Sequence, residues 1–133
     1  MAGKRIVVID DDPDFLDYVR IVLTSNGHTV ETCTCSEQGI ACIRATRPDL
    51  VIVDFMMSYV LDGVAVSRAM REDARLADIP ILLVSAVVGE QDDQLLTCEE
   101  KARVDAFLSK PINPAQLLQQ VQRLTGPSDC VEV

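Results

Sequence analysis

The chain is short of positive charge: 12 Lys and Arg stand against 21 Asp and Glu, a formal net charge of -9 over 133 residues. Domains that grip nucleic acid neutralise phosphates with basic patches, so this balance argues against a nucleic-acid binder and favours partners with basic surfaces. Long apolar runs are missing too. No stretch approaches the roughly 20 apolar residues of a membrane span, and the opening MAGKRIVVID is too short in apolar residues for a secretory leader. A cytoplasmic protein is expected. Histidine is nearly absent, and the lone His28 follows Asn26-Gly27, where a loop residue is expected rather than a ligand or base. The five cysteines are odd in number and irregularly spaced, which points to reduced thiols rather than a disulfide framework. Cys33 and Cys35 form a C-x-C, but no second Cys or His pair stands at zinc-ligand spacing.

What is present is enough for one core. At 48% apolar and 25% charged residues the composition is that of an ordinary globular domain. Apolar runs alternate with helical patterns along the whole chain. Strands are expected over 4–9, 29–33, 50–54, 81–84 and 106–108. Between them, Phe15, Val19, Val22 and Leu23 recur at helical spacing behind Pro13, and Ser36 is the expected N-cap of a helix running to about Arg47. A third helix is expected over about 63–70 and a less well marked one over 89–103. Asn113-Pro114-Ala115-Gln116 then opens a last helix bearing Leu117, Val121 and Leu124 on one face. Strands that are apolar throughout, rather than alternating, belong to a parallel sheet covered on both sides. The expectation is an α/β fold, a (βα)5 flavodoxin-like three-layer sandwich with five parallel strands in the order 2-1-3-4-5. Residues 1–125 would form this domain, with 126–133 a short tail or the start of a linker.

In such a sheet, ligands bind beyond the carboxyl ends of the strands where the winding reverses. The polar residues at those ends are Asp10-Asp11-Asp12, Asp54, Ser85 and Lys110. Carboxylates gathered this way repel one another unless a cation shares the site, and all-oxygen ligands suit Mg²⁺ rather than zinc. A divalent cation, an ammonium and a hydroxyl are the parts that stabilise a transferring phosphoryl group, and a carboxylate can serve as its nucleophile. Asp54 is the candidate for that role. Taken singly, each residue has a plainer reading: Asp10 to Asp12 as a solvated or helix-capping cluster, Lys110 as a surface lysine, Phe107 as core.

The motifs V-I-D-D-D-P, L-V-I-V-D-F-M-M with a later D-G, L-V-S-A and F-L-S-K-P occur in that order, each at a strand end, and together they resemble the receiver domain of two-component response regulators. The resemblance covers about residues 4–124. It implies that Asp10 and Asp11 bind Mg²⁺ (Mn²⁺ being an alternative), with Asp12 an adjacent surface acid and the Met56 backbone carbonyl a further ligand beside Asp54, the phosphoacceptor. It further implies Ser85 as the switch hydroxyl, Lys110 as the phosphate-pairing lysine, Phe107 as the switch aromatic, and a cis bond between Lys110 and Pro111. The partners implied are a sensor histidine kinase or histidine phosphotransfer protein and a downstream protein target or output domain, with no nucleic acid or membrane bound by this domain itself, as a monomer or a phosphorylation-dependent dimer. The chain would be a signalling phosphoacceptor, catalysing only its own phosphorylation and slow dephosphorylation. Two departures stand out. Ser58 occupies the place where the family usually has proline, and the spacing from Asp54 to Asp62-Gly63 is one residue longer. A phosphorylation-independent interaction module is the alternative. A hydrolase of the haloacid-dehalogenase type is disfavoured, because that pattern needs an Asp where Met56 stands.

Overall fold

The computed structural model describes residues 3–54, 62–85, 105–109 and 112–125; at several of these, among them Ser36, Asp54, Ser85 and Phe107, the backbone alone is described. The strands are β1 (Arg5–Ile9), β2 (Thr29–Cys33), β3 (Leu50–Asp54), β4 (Ile81–Ser85) and β5 (Ala106–Ser109), and the helices α1 (Pro13–Thr24), α2 (Ser36–Thr46), α3 (Asp62–Glu72) and α4 (Pro114–Thr125). The sheet is parallel, in the order β2-β1-β3-β4-β5. This is the expected order. The helix expected over 89–103 and the tail 126–133 lie outside the described residues.

Successive strand residues face opposite sides, and both sides are dry. Val7, Ile9, Val51, Val53, Ile81 and Leu83 pack with Ile43 of α2 and Val66 and Met70 of α3. Ile6, Val8, Leu50, Ile52, Leu82 and Val84 pack with Leu16, Val19 and Leu23 of α1 and Leu117 and Val121 of α4. The apolar runs of β1, β3 and β4 are therefore continuous because each of these strands feeds two cores. β2, at one edge, is mostly exposed, and its sequence TVETC is correspondingly polar.

Two local expectations are corrected. Leu16, not Phe15, shares the buried stripe of α1 with Val19 and Leu23, while Phe15 and Val22 pack at its margin. Ser36 is not the N-cap of α2. Cys35 is, with an extended backbone at φ -144° and ψ 162°, because its carbonyl already accepts from the Gly39 N–H at 3.0 Å; the Cys35 side chain makes no capping bond. At the other end Arg47, with φ 46°, closes the helix in the left-handed region.

The amino ends of the strands are held by a repeated device. The Lys4 N–H donates to His28 Nδ1 at 3.0 Å, Arg5 N–H to Asp49 Oδ2 at 2.9 Å, and Ile81 N–H to Asp105 Oδ2 at 2.8 Å. In each case a residue just before the neighbouring strand satisfies a backbone donor at the start of this one. Arg71, in the last turn of α3, ties this rim together: it donates to the carbonyls of Ala77 and Ile79 at 2.7 and 2.8 Å and to Asp105 Oδ2 at 2.8 Å.

Two predictions follow from this packing. A Cβ at Gly39 would lie 2.2 Å from Ile9 Cδ1 and 2.6 Å from its Cγ1. The clash outweighs the helix propensity Ala would add, so Gly39→Ala should lose about 1–3 kcal/mol in urea denaturation, and less in an Ile9→Ala background, where both atoms are gone. The second concerns His28, whose pKa is lowered by burial and then by the charge of Lys4. The folded chain thus releases this proton more readily than the unfolded one, so the stability of the neutral ring is full above the unfolded value near 6.5 and is lost as pH falls through the lowered folded value. In urea denaturation wild type should lose more stability than His28→Asn on acidification through that window, because an Asn carbonyl accepts the Lys4 N–H at any pH.

Candidate functional site

The carboxyl ends of the strands form the opposite rim. Ile9 is in register with Val53, so Asp10 and Asp54 follow at the same level on adjacent strands, which lie about 4.8 Å apart. Asp54 pairs with Val84, so Ser85 is one residue beyond that level on β4, and Ser85 pairs with Ser109, which Lys110 follows in sequence. The winding reverses between β1 and β3, where Asp10 and Asp54 sit. Register alone therefore brings the backbone positions of Asp10, Asp54 and Ser85 to one edge. Met56, Lys110 and Pro111, with Ser58 and the lengthened spacing before Asp62, lie outside the described residues.

The acidic run divides into three different situations. Asp10 has no exposed surface and is the sole buried charged side chain among the described residues; its Oδ1 accepts from the Asp12 N–H at 2.9 Å, and its own N–H continues the sheet ladder to the Cys33 carbonyl at 3.0 Å. Asp11 is exposed at the mouth of the turn. Asp12 is the N-cap of α1, accepting from the Asp14 N–H at 3.0 Å, with Pro13 at the first helical position. The capping reading and the ligand reading thus apply to different residues: Asp12 caps, leaving Asp10 and Asp11 as the adjacent acids. A D-P-D step before a helical pattern was the available signal for that cap.

Among the described residues no three His, Cys, Asp or Glu side chains gather to hold a metal. Asp10 and Asp11 bring only hard oxygen donors, which fits Mg²⁺ and not zinc; of the other expected ligands, Asp54 is described by its backbone and Met56 is not described. Among the described residues the cysteines offer no competing centre. The Cys33 thiol is pushed up to about 11 by burial and then by the neighbouring Cys42 thiol, so it stays protonated at neutral pH and is a poor ligand and nucleophile.

Residues 6–122 match the family model of the response regulator receiver domain. The chain belongs to that family. The receiver is 31% identical over 132 residues to the phosphate regulon transcriptional regulatory protein PhoB of Pseudomonas aeruginosa, covering 97% of this chain and 56% of that protein. It is 35% identical over 125 residues to the DNA-binding dual master transcriptional regulator RpaA of Synechocystis, covering 94% of this chain and 50% of that protein. The receiver therefore spans about half the length of these curated relatives. Among solved structures it resembles the chemotaxis protein CheY4 of Vibrio cholerae (TM-score 0.81, 27% identity, 92% and 99% of the two chains covered). It also resembles the receiver domain of the sensor histidine kinase PA1611 of P. aeruginosa, solved with magnesium coordinated in its active-site cleft (TM-score 0.82, 26% identity, 94% and 99% covered).

The separation of roles in the acidic run is testable by stability. Asp12→Ala should cost about 1 kcal/mol in urea denaturation through loss of the cap, whereas Asp12→Asn, which keeps the accepting oxygen, should be within about 0.5 kcal/mol of wild type.

Proposed function

We propose that this receiver accepts a phosphoryl group on Asp54 from a phosphohistidine of a sensor histidine kinase or a histidine phosphotransfer protein, and thereby switches a protein-binding surface. The observation that carries this reading is the register: a buried acid, Asp10, stands level with Asp54 at the point where the winding reverses. In the transfer, an Asp54 carboxylate oxygen attacks phosphorus in line. The nitrogen–phosphorus bond breaks, its electron pair returns to the donor imidazole, and an acyl phosphate forms. Asp10, Asp11, Asp54 and the Met56 carbonyl would hold Mg²⁺, or Mn²⁺ in its place, which when bound offsets the charge on the phosphoryl oxygens. Lys110 pairs with those oxygens as a point charge, and Ser85 donates its hydroxyl to one of them. Moving Ser85 toward the phosphoryl opens the space that Phe107 fills, which biases a two-state surface. Water later attacks the acyl phosphate and resets the switch.

In this reading the chain is a signalling domain over about residues 1–125, with 126–133 as a tail or linker. Its catalysis is confined to its own phosphorylation and slow dephosphorylation. The curated relatives named above are transcriptional regulators about twice its length, which supports an output domain or separate protein target as the receiver of the signal, with no nucleic acid bound by this domain. It would act as a monomer or a phosphorylation-dependent dimer. Among the described residues no helix is long and apolar enough to cross a membrane, and the site is proposed to work in the cytoplasm.

The direct test is incubation with Mg²⁺ and a small-molecule acyl phosphate, followed by intact-protein mass spectrometry. Wild type should gain one phosphoryl group, Asp54→Asn none, and Lys110→Ala should react about a hundredfold more slowly. Absence of an Asp54-dependent gain would replace this reading with that of a phosphorylation-independent interaction module.

A further inference from the structure

The residues of the proposed site come from separate stretches of chain. The acids end β1 and lead at once into α1, whose first turn is bolted to them by the Asp12 N–H to Asp10 Oδ1 bond. Lys110 belongs to the segment between β5 and α4. A side-chain hydrogen bond joins these stretches across 94 positions of sequence: the Tyr18 hydroxyl, on α1, donates to the Ile112 carbonyl at 2.6 Å.

That carbonyl is well placed to matter. The Ile112 side chain is buried in the cluster that holds Leu16 and Val19 of α1 and Leu117 and Val121 of α4. Asn113 then starts α4, its Oδ1 accepting from the Ala115 N–H at 2.7 Å and its carbonyl from the Leu117 N–H at 3.0 Å. The backbone at Ile112 is thus fixed by a packed side chain, a helix start and the tyrosine hydroxyl. Only Pro111 separates it from Lys110, and a prolyl ring removes one of the soft dihedrals between them.

We propose that Tyr18 is a positioning residue for Lys110: its hydroxyl holds the Ile112 backbone, two residues after the phosphate-pairing lysine, to the helix that begins at the acidic turn. The proposal rests on the reading of Lys110 given above. Tyr18→Phe removes the hydroxyl alone, and the ring keeps its place beside the apolar cluster. Val22→Ala serves as the control, because Val22 lies on the same helix against the same cluster and makes no such bond.

The experiment is the rate of phosphorylation by a small-molecule acyl phosphate, with Mg²⁺ affinity by calorimetry and stability by urea denaturation measured alongside. Tyr18→Phe should react about three- to tenfold more slowly at unchanged Mg²⁺ affinity, since misplacing a catalytic group costs rate without touching the metal ligands. Val22→Ala should keep the wild-type rate while losing stability. In a Lys110→Ala background, Tyr18→Phe should have no further effect, because the group it positions is gone. A wild-type rate for Tyr18→Phe, or a loss that persists in full without the lysine, would overturn the proposal. A wild-type rate for Lys110→Ala would overturn the reading of the lysine itself, and the role of Tyr18 with it.

Discussion

A carboxyl group with no exposed surface has to be hydrogen-bonded where it lies, because an unsatisfied buried polar group costs several kcal/mol. Asp10 meets that demand through the Asp12 N–H, and the rest of the amino half is arranged around the turn this bond defines. The same turn presents Asp11 to solvent and makes Asp12 the cap of α1. Burial of one acid, exposure of the next and the start of a helix are three results of a single local geometry, and they fix the direction in which α1 leaves the rim.

The sheet divides its labour between its two rims. At the amino ends, His28, Asp49, Asp105 and Arg71 satisfy backbone groups that β1, β4 and the turn after α3 would otherwise leave unpaired. These contacts serve stability. At the carboxyl ends the apolar runs stop at Asp10, Asp54 and Ser85, the positions to which the phosphoryl chemistry is proposed to belong. The middles of β1, β3 and β4 are apolar on both faces, so a polar functional group has nowhere else on these strands to go.

Much of this was legible in the residues themselves. The continuous apolar runs gave a parallel sheet covered on both sides, and Asn113-Pro114 gave the start of α4, because such signals act within a few residues. Local signals failed where a neighbour decided the outcome. Ser36 is a good capping residue in isolation, but the backbone at position 35 is still extended and its carbonyl takes the first helical bond, so a cysteine whose side chain makes no capping bond begins α2. Phe15 outranks Leu16 in bulk, yet the direction of α1 over the sheet turns Leu16 inward.

The sequence by itself determined the alternation of strands and helices, the acids at the strand ends and hence the chemistry those ends can perform, since residue type and period are local properties. Tertiary structure decided which residues stand level with which. The register of β1 on β3 puts Asp10 beside Asp54, and the apolar cluster that α1 shares with Ile112 and α4 brings the Tyr18 hydroxyl to the Ile112 carbonyl. Neither can be read along the chain, because each joins residues more than forty positions apart whose meeting depends on how two faces of the sheet are filled.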